Sequence, residues 1–178
     1  IAVPLGIHTH NDSGMAAAIS VMAAEAGVEQ IQGTFNGYGE RCGNANLCTV
    51  VPTLLLKLGL TCAITPHLAR LTETSRLISE LTNLHPDDRQ PYVGASSFAH
   101  KAGMHVDAIR KNSRTLEHVP PETVGNRRRI LLSDQASRSS ILEKIGERYP
   151  ELTKDTPQVA ALTEQLKELE HQIGRAHV

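Results

Sequence analysis

The sequence has no excess of charge of either sign. Its 178 residues carry 18 Lys and Arg against 19 Asp and Glu, a formal net charge of −1. A protein that binds nucleic acid or an anionic membrane surface through charge needs a concentrated basic face or a polybasic tail. We therefore expect no nucleic-acid partner and no membrane partner.

Long apolar runs and an export signal are also missing. No stretch reaches the eighteen apolar residues of a membrane-spanning helix, and the first residues lack the charged-then-apolar order of a secretory signal. The three cysteines, Cys42, Cys48 and Cys62, form neither an even set nor a CxxC pair, which favours free thiols in a reducing compartment. These absences predict a soluble, cytoplasmic protein.

The sequence does contain two successive strand–loop–helix patterns. The first comprises an apolar strand over residues 1–7, a polar loop over 8–12 and a helix over 14–26; the second comprises a strand over 28–34, a glycine-rich loop over 35–43 and a helix over 44–58. Two such units predict parallel strands joined by right-handed crossovers. In these folds the loops after the strands carry the chemistry, whether the sheet closes into a barrel or stays open.

This alternation ends before residue 86. A short strand over residues 60–64 and an amphipathic helix over 68–84 complete the first part, and polar residues 86–91 predict a boundary. The second part is expected to contain helices over 96–112, 136–148 and 158–172 and a strand over 127–132. Because the chain does not begin with Met and opens on a core-type strand, we expect a segment of a longer protein.

His8 and His10 are two residues apart at the end of the first strand, where both side chains point to the same side. Two imidazoles can hold one ion, although a surface histidine pair explains this spacing about as well. In the neighbouring glycine loop Asn44 offers an amide oxygen. The pattern predicts a divalent-metal site, and the alternative is a tight turn in which Asn44 only caps the next helix.

Two long stretches resemble one enzyme family. His8-Thr-His10-Asn-Asp12, together with Gly33-Thr-Phe-Asn-Gly-Tyr-Gly-Glu-Arg-Cys-Gly-Asn-Ala-Asn-Leu47, resembles the metal-binding half of the family that includes 2-isopropylmalate, homocitrate and citramalate synthases and the hydroxymethylglutaryl-CoA lyases. Residues 98–112 and 117–129 resemble the linker subdomain of the synthases, which the lyases are not expected to carry. Residues 36–48 and 124–134 are most similar to the citramalate synthase branch.

The resemblance implies an α/β fold. Residues 1–85 are expected to form the C-terminal part of a (β/α)8 TIM barrel, and residues 86–172 a small α+β or helical linker subdomain. Residues 173–178 look like a translated sequencing adapter and are predicted to be a non-native tail. His177 is therefore excluded from any site.

The resemblance also implies a reaction, a metal-assisted condensation of acetyl-CoA with pyruvate that yields (R)-citramalate and CoA in isoleucine biosynthesis. It assigns His8, His10 and Asn44 as ligands of Zn, Mn or Mg, with a further Asp ligand outside this sequence. His105 matches a base that the linker subdomain of a partner subunit supplies in a homodimer.

Three further assignments concern the glycine loop and its strand. Glu40 is assigned to catalysis and Thr34 and Arg41 to substrate binding, although a salt bridge at the rim explains Glu40 and Arg41 nearly as well. Cys42, a lone thiol, is expected to be inert.

The sequence departs from the family pattern at two positions. Leu116 stands where a tyrosine is usual and cannot donate a hydrogen bond, and Ser137 stands where glycine is typical.

Three alternative functions stay open. The substrate of the same chemistry could be the branched keto acid of a 2-isopropylmalate synthase, or another 2-keto acid. A metal-dependent amidohydrolase also has an HxH pair, but it should show further histidines at later strand ends. The isolated chain could also be inactive, serving only in subunit association.

Overall fold

The computed structural model describes residues 3–101, 103–131, 137–146 and 148–173. The chain divides into two compact units: unit 1 comprises residues 1–97 and 121–127, and unit 2 comprises residues 98–120 and 128–178. Residues just beyond position 86 belong to unit 1 because the side-chain amide of Asn126 donates to the carbonyls of Tyr92 and Gly94, at 2.9 and 3.0 Å. A domain boundary at residue 86 stays a prediction.

Unit 1 contains two short parallel strands and three helices. Its elements are β1 (Gly6–His8), α1 (Ala16–Glu25), β2 (Gln30–Gln32), α2 (Leu47–Leu56) and α3 (Leu71–Thr82). β1 and β2 pair in parallel with Ile7 opposite Ile31, which confirms the predicted βα arrangement. The core packs Ala16 of α1 against Ala45 and Val50, because small side chains let α1 approach α2 closely.

Residues 60–64 do not form the expected strand. The amide of Leu60 donates to the Leu54 carbonyl at 3.1 Å, and the amide of Cys62 donates to the Thr65 hydroxyl at 2.9 Å. Backbone groups that close the end of α2 and a turn are not available to a strand ladder. In the described part of unit 1 the sheet contains β1 and β2 alone.

In its described residues, unit 2 contains a second parallel strand pair and three α-helices. Its elements are β3 (Ala99–His100), α4 (Gly103–Lys111), β4 (Arg129–Ile130), α5 (Arg138–Ile145) and α6 (Pro157–Ile173). The helix expected within residues 96–112 is present as α4, but the inclusion of His100 in it was wrong, since His100 lies on β3 and pairs with Ile130. None of the helices in the described residues is long and apolar enough to span a membrane.

Ser137 begins α5 as its cap. Its hydroxyl accepts a hydrogen bond from the Ser140 amide at 3.3 Å, and the Ser140 hydroxyl accepts one from the Ser137 amide at 3.4 Å. This reciprocal arrangement satisfies two backbone donors at the helix start. A serine is therefore compatible with the helix where the family typically has glycine; the preceding residues 132–136 lie outside the described residues.

A buried carboxylate connects β3 to the residue before β4. Glu117 is 6% exposed and accepts two hydrogen bonds of 2.6 Å from the Arg128 guanidinium. His100 Nε2 lies 3.2 Å from the same carboxylate. The hydrogen bonding and charge of Arg128, followed by the hydrogen bond and charge of His100, hold the pKa of Glu117 below its usual value against the opposing effect of burial.

Acidification is expected to destabilise unit 2 through Glu117. Because its folded-state pKa is depressed, the stabilisation is complete above the unfolded-state pKa, about 4.3, and is lost as the pH falls through the folded-state value. Arg128→Met should cost about 3 kcal/mol at pH 7, since it leaves a buried carboxylate without its main partner. Urea denaturation from pH 7 to pH 3 measures both effects.

The matched variants for this measurement are Glu117→Gln and the exposed Glu151→Gln. Glu117→Gln should be less stable than the parent at pH 7 but should lose less stability on acidification, whereas Glu151→Gln should follow the parent. If the parent and Glu117→Gln lost stability over the same pH range and by the same amount, Glu117 would not be the cause of the acid-induced destabilisation.

Candidate metal centre

The loops that follow β1 and β2 lie side by side and bring His10 next to Asn44. The two residues form an antiparallel bridge. The Asn11 amide donates to the Gly43 carbonyl at 2.8 Å, and the Ala45 amide donates to the Thr9 carbonyl at 3.1 Å. The rings of His8 and His10 are 5.0 Å apart between centroids and meet at 71°. The structure therefore brings the two predicted imidazole ligands together and places the backbone of Asn44 beside that of His10.

Glycine is required where the second loop approaches Asn44. Gly43 has φ +89°, and a Cβ there would lie 2.0 Å from the Gly37 carbonyl oxygen, which accepts a hydrogen bond from the Asn44 amide. A Cβ on Gly39 would lie 2.8 Å from Asn44 Nδ2. Larger residues would displace the Asn44 side chain, so the glycines of this loop determine where that amide points.

The Asn44 side chain has an unsatisfied oxygen. Its Oδ1 is buried and accepts no hydrogen bond, a situation that usually costs about 1–3 kcal/mol. The alternative in which Asn44 caps α2 is wrong, because Asn46 provides the cap by accepting from the Cys48 amide at 2.9 Å. An unpaired amide oxygen on a residue that bridges to His10 fits a ligand of a divalent cation.

The ligand set is neutral and incomplete. No three His, Cys, Asp or Glu side chains gather within residues 3–101, 103–131, 137–146 and 148–173. His8, His10 and Asn44 thus offer two nitrogens and one oxygen, which leaves coordination positions for other ligands.

A salt bridge joins the same two loops at the surface. Arg41 Nε and Nη2 donate to the two carboxylate oxygens of Asp12, both at 2.8 Å, and this hydrogen bonding lowers the pKa of Asp12. Glu40 Oε2 lies 3.8 Å from Arg41 Nη1, and its side chain is 87% exposed. The rim salt bridge expected as an alternative is present, while the catalytic role of Glu40 and the substrate-binding role of Arg41 stay predictions.

Thr34 lies at the end of β2 under the glycine loop. Its hydroxyl donates to the Tyr38 carbonyl, and its backbone amide donates to the Ala45 carbonyl at 3.0 Å. With its proton used inside the loop, the hydroxyl can act toward a ligand only as an acceptor. Contact between Thr34 and a substrate stays a prediction.

His105 lies on α4 in unit 2 with an exposed side chain, while its neighbour Val106 is buried. Leu116 is 44% exposed.

The exposed Cys42 and the buried Cys48 are free thiols. Burial raises the pKa of Cys48, which keeps its thiol protonated and unreactive.

Sequence reasoning assigned no role to Asp12, Asn36 or Glu117. Asn36 has φ +61°, and an Asn-Gly pair in a loop is a recognised signal for such a conformation. Asp12 and Glu117 give no comparable local signal, because their partners are 29 and 11 residues away in sequence.

Two family models match the chain. The HMGL-like family matches residues 1–78, and the homocitrate synthase post-HMGL domain-like family matches residues 92–173.

Curated relatives cover nearly all of the sequence. The (R)-citramalate synthase of Synechocystis sp. is 54% identical over 168 residues, 94% of this chain and 31% of the relative. That of Geobacter sulfurreducens is 48% identical over 171 residues, 96% of this chain and 32% of the relative. A probable 2-isopropylmalate synthase of Methanopyrus kandleri is 41% identical over 169 residues, 95% of this chain and 33% of the relative.

The chain spans about a third of the length of these relatives. The two family matches and the relatives confirm the resemblance found in the two loops and in residues 98–129. With its paired parallel strands, its HxH and glycine loops and its post-HMGL segment, the chain belongs to the HMGL-like family of TIM-barrel proteins, in the group that carries the homocitrate synthase post-HMGL domain.

Proposed function

We propose that this chain provides the metal-holding loops and the linker subdomain of an acyltransferase that condenses acetyl-CoA with pyruvate to give (R)-citramalate and CoA. The observation that carries the proposal is the buried, unpaired Oδ1 of Asn44, a residue that bridges to His10, whose ring lies 5.0 Å from that of His8. The choice of pyruvate is supported by the identity to (R)-citramalate synthases, 54% against 41% for a probable 2-isopropylmalate synthase.

We propose further that residues 1–85 belong to a (β/α)8 barrel and residues 86–172 to the linker subdomain. Unit 1 has an apolar pocket of about 540 Å³, lined by side chains such as Ile31 of β2, Val50 and Leu54 of α2, and Leu60. Val3 and Leu5 are also exposed, at 61% and 45%. Apolar surface of this kind at the edges of a two-stranded parallel sheet supports a sheet that continues with more strands.

His8 and His10 would hold a divalent metal, Zn, Mn or Mg, through neutral imidazole nitrogens, with Asn44 Oδ1 as a third ligand. When bound, the metal supplies Lewis-acid polarisation of the keto acid's carbonyl group. Because all three side chains are neutral, the cation's charge is left to its other ligands, the Asp expected outside this sequence and the anionic keto acid. The bidentate bond between Arg41 and Asp12 keeps the two ligand-bearing loops together.

His105 is proposed as the base. Its imidazole takes a proton from the methyl group of acetyl-CoA, and the resulting carbanion forms a C–C bond to the keto carbon of pyruvate. The C=O π bond of the ketone breaks in that step, and its oxygen takes the electron pair and then the abstracted proton, which gives the product hydroxyl and a neutral imidazole. Water then hydrolyses the thioester, which breaks the C–S bond and releases CoA. The exposed position of His105 on α4 supports delivery of this ring to the site of a second subunit in a homodimer.

Substrate binding is proposed for Arg41 and Thr34. Asp12 uses Nε and Nη2 of Arg41; Nη1, which lies 3.8 Å from Glu40 Oε2 without a hydrogen bond to it, would donate to the carboxylate of the keto acid. The Thr34 hydroxyl can only accept a hydrogen bond from a ligand, so its partner would be a hydroxyl group or a water molecule. Glu40, exposed beside Arg41, is retained as a catalytic residue.

A graft tests this function. This chain replaces its matching segment in the Synechocystis (R)-citramalate synthase, and CoA release is measured with acetyl-CoA and pyruvate. We expect the graft to retain at least about a tenth of the parent rate, to lose it on chelation and to regain it with metal, because the chain supplies the site's ligands. A folded graft without turnover, or one insensitive to chelation, would overturn the proposal.

A further inference from the structure

Asn36 makes more side-chain hydrogen bonds than any predicted metal ligand, and all of them lie within unit 1. Its Nδ2 donates to the Ser75 carbonyl at 2.9 Å and to the Ser79 hydroxyl at 3.1 Å. Its Oδ1 accepts from the Ser75 hydroxyl at 2.6 Å, from Gln90 Nε2 at 3.3 Å and from Cys48 Sγ at 3.5 Å. The amide is thus saturated and connects the glycine loop to α3.

The partners of Asn36 are buried. Ser75, Ser79 and Gln90 are 4%, 2% and 7% exposed. Hydrogen bonds away from water resist opening, because each group that separates there loses its partner without gaining solvent. This cluster can therefore hold a loop in one position.

Asn36 is connected to the proposed ligand Asn44 through Gly37, by one peptide bond and one backbone hydrogen bond. It has φ +61°, and it precedes Gly37, whose carbonyl accepts the hydrogen bond from the Asn44 amide at 3.0 Å. On the other side of Gly37, the Tyr38 hydroxyl lies 3.2 Å from the Ser79 hydroxyl. The residues on both sides of Gly37 are thus tied to α3.

We propose that Asn36 is a positioning residue that fixes the glycine loop on α3 and thereby holds Asn44 in place for metal binding. The inference deepens the proposed function, on which its metal-binding consequence rests. Asn36 does not contact the metal or the substrate in this scheme. A residue that only stabilised the core would lower the stability of the whole unit without a selective effect on Asn44.

The test compares Asn36→Gly with Thr72→Val. Glycine accepts the left-handed backbone conformation and removes only the side chain. Thr72 donates a buried hydrogen bond of 2.7 Å to the Val124 carbonyl from the same helix, α3, outside the Asn36 cluster. Thr72→Val therefore removes one buried hydrogen bond of the same helix without a link to the glycine loop.

Amide hydrogen exchange in the 178-residue chain is the first measurement. Exchange of the Asn44 amide should be at least about tenfold faster in Asn36→Gly than in Thr72→Val, because the loop opens locally. Ser79→Ala, which removes one hydrogen-bond partner of Asn36, should accelerate exchange of the Asn44 amide by a smaller factor. This variant replaces Asn36→Gly in the comparison if Asn36→Gly does not fold. Equal Asn44 exchange in the folded loop variants and in Thr72→Val would overturn the inference.

Metal activation of the graft is the second measurement. Asn36→Gly should raise the metal concentration needed for half-maximal rate by at least about tenfold, whereas Thr72→Val should leave it unchanged. An unchanged value in Asn36→Gly would overturn the positioning role. If the unsubstituted graft shows no metal dependence, the proposed function fails, while the exchange comparison still decides whether Asn36 positions the loop.

Discussion

Replacement of both His8 and His10 by alanine in the graft is expected to abolish bound metal and to lower kcat/KM by at least about 10³-fold. The estimate follows because the metal's polarisation of the carbonyl is worth several kcal/mol in the transition state, and each 1.4 kcal/mol is a factor of ten. After the substitution Asn44 Oδ1 would be the only ligand left of the three. Metal content by mass spectrometry and CoA release measure the two effects.

His67 and His85 provide the matched control. Both are exposed histidines of unit 1 outside the two ligand-bearing loops, so His67→Ala with His85→Ala makes the same chemical change elsewhere. This control should keep its metal and its rate. If the His8→Ala, His10→Ala graft also kept both, the metal centre would not be where we place it.

His105→Ala is expected to lower kcat by about 10²–10⁴-fold, the usual contribution of a positioned general base. Because His105 is exposed on α4 and no metal ligand is proposed from unit 2, the bound metal should not change. Steady-state rates at saturating acetyl-CoA and pyruvate measure the loss. Lys111→Ala, at an exposed position of the same helix, should leave kcat unaltered.

Complementation then tests whether the base comes from a second subunit. We mix the graft that carries His105→Ala with the graft that carries both His8→Ala and His10→Ala and allow the subunits to exchange. The mixture should regain about a quarter of full activity, since half of the dimers are mixed and each mixed dimer has one intact site. Mixtures as inactive as their components would rule out delivery between subunits. A His105→Ala graft with full activity would remove this residue from catalysis altogether.

The predictions that came from local pattern were confirmed where the pattern is repetitive. Alternating apolar and polar segments predicted β1, α1, β2 and α2 and their parallel pairing. Parallel strands place their C-terminal ends at one edge, so the approach of His10 to Asn44 followed from topology.

The predictions from pattern were wrong where a short segment could form either of two secondary structures. Residues 60–64 are apolar enough for a strand, but the structure uses their amides to close α2 and a turn. His100 fits a helical pattern equally well, yet pairing with β4 and the contact with Glu117 place it on a strand. Local hydrogen bonds decided the first case, and contacts with partners distant in sequence decided the second.

By itself the sequence determined the order β1, α1, β2, α2, the location of the HxH and glycine loops, and the family, because these depend on local periodicity and on residue types at fixed spacing. Only the tertiary structure decided that Asn44 Oδ1 is left without a hydrogen bond, that Arg41 is committed to Asp12, and that Asn36 is anchored on α3. Each of these depends on which polar groups meet after the chain has folded, and a buried group's pairing is set by all its neighbours at once rather than by its own position along the chain.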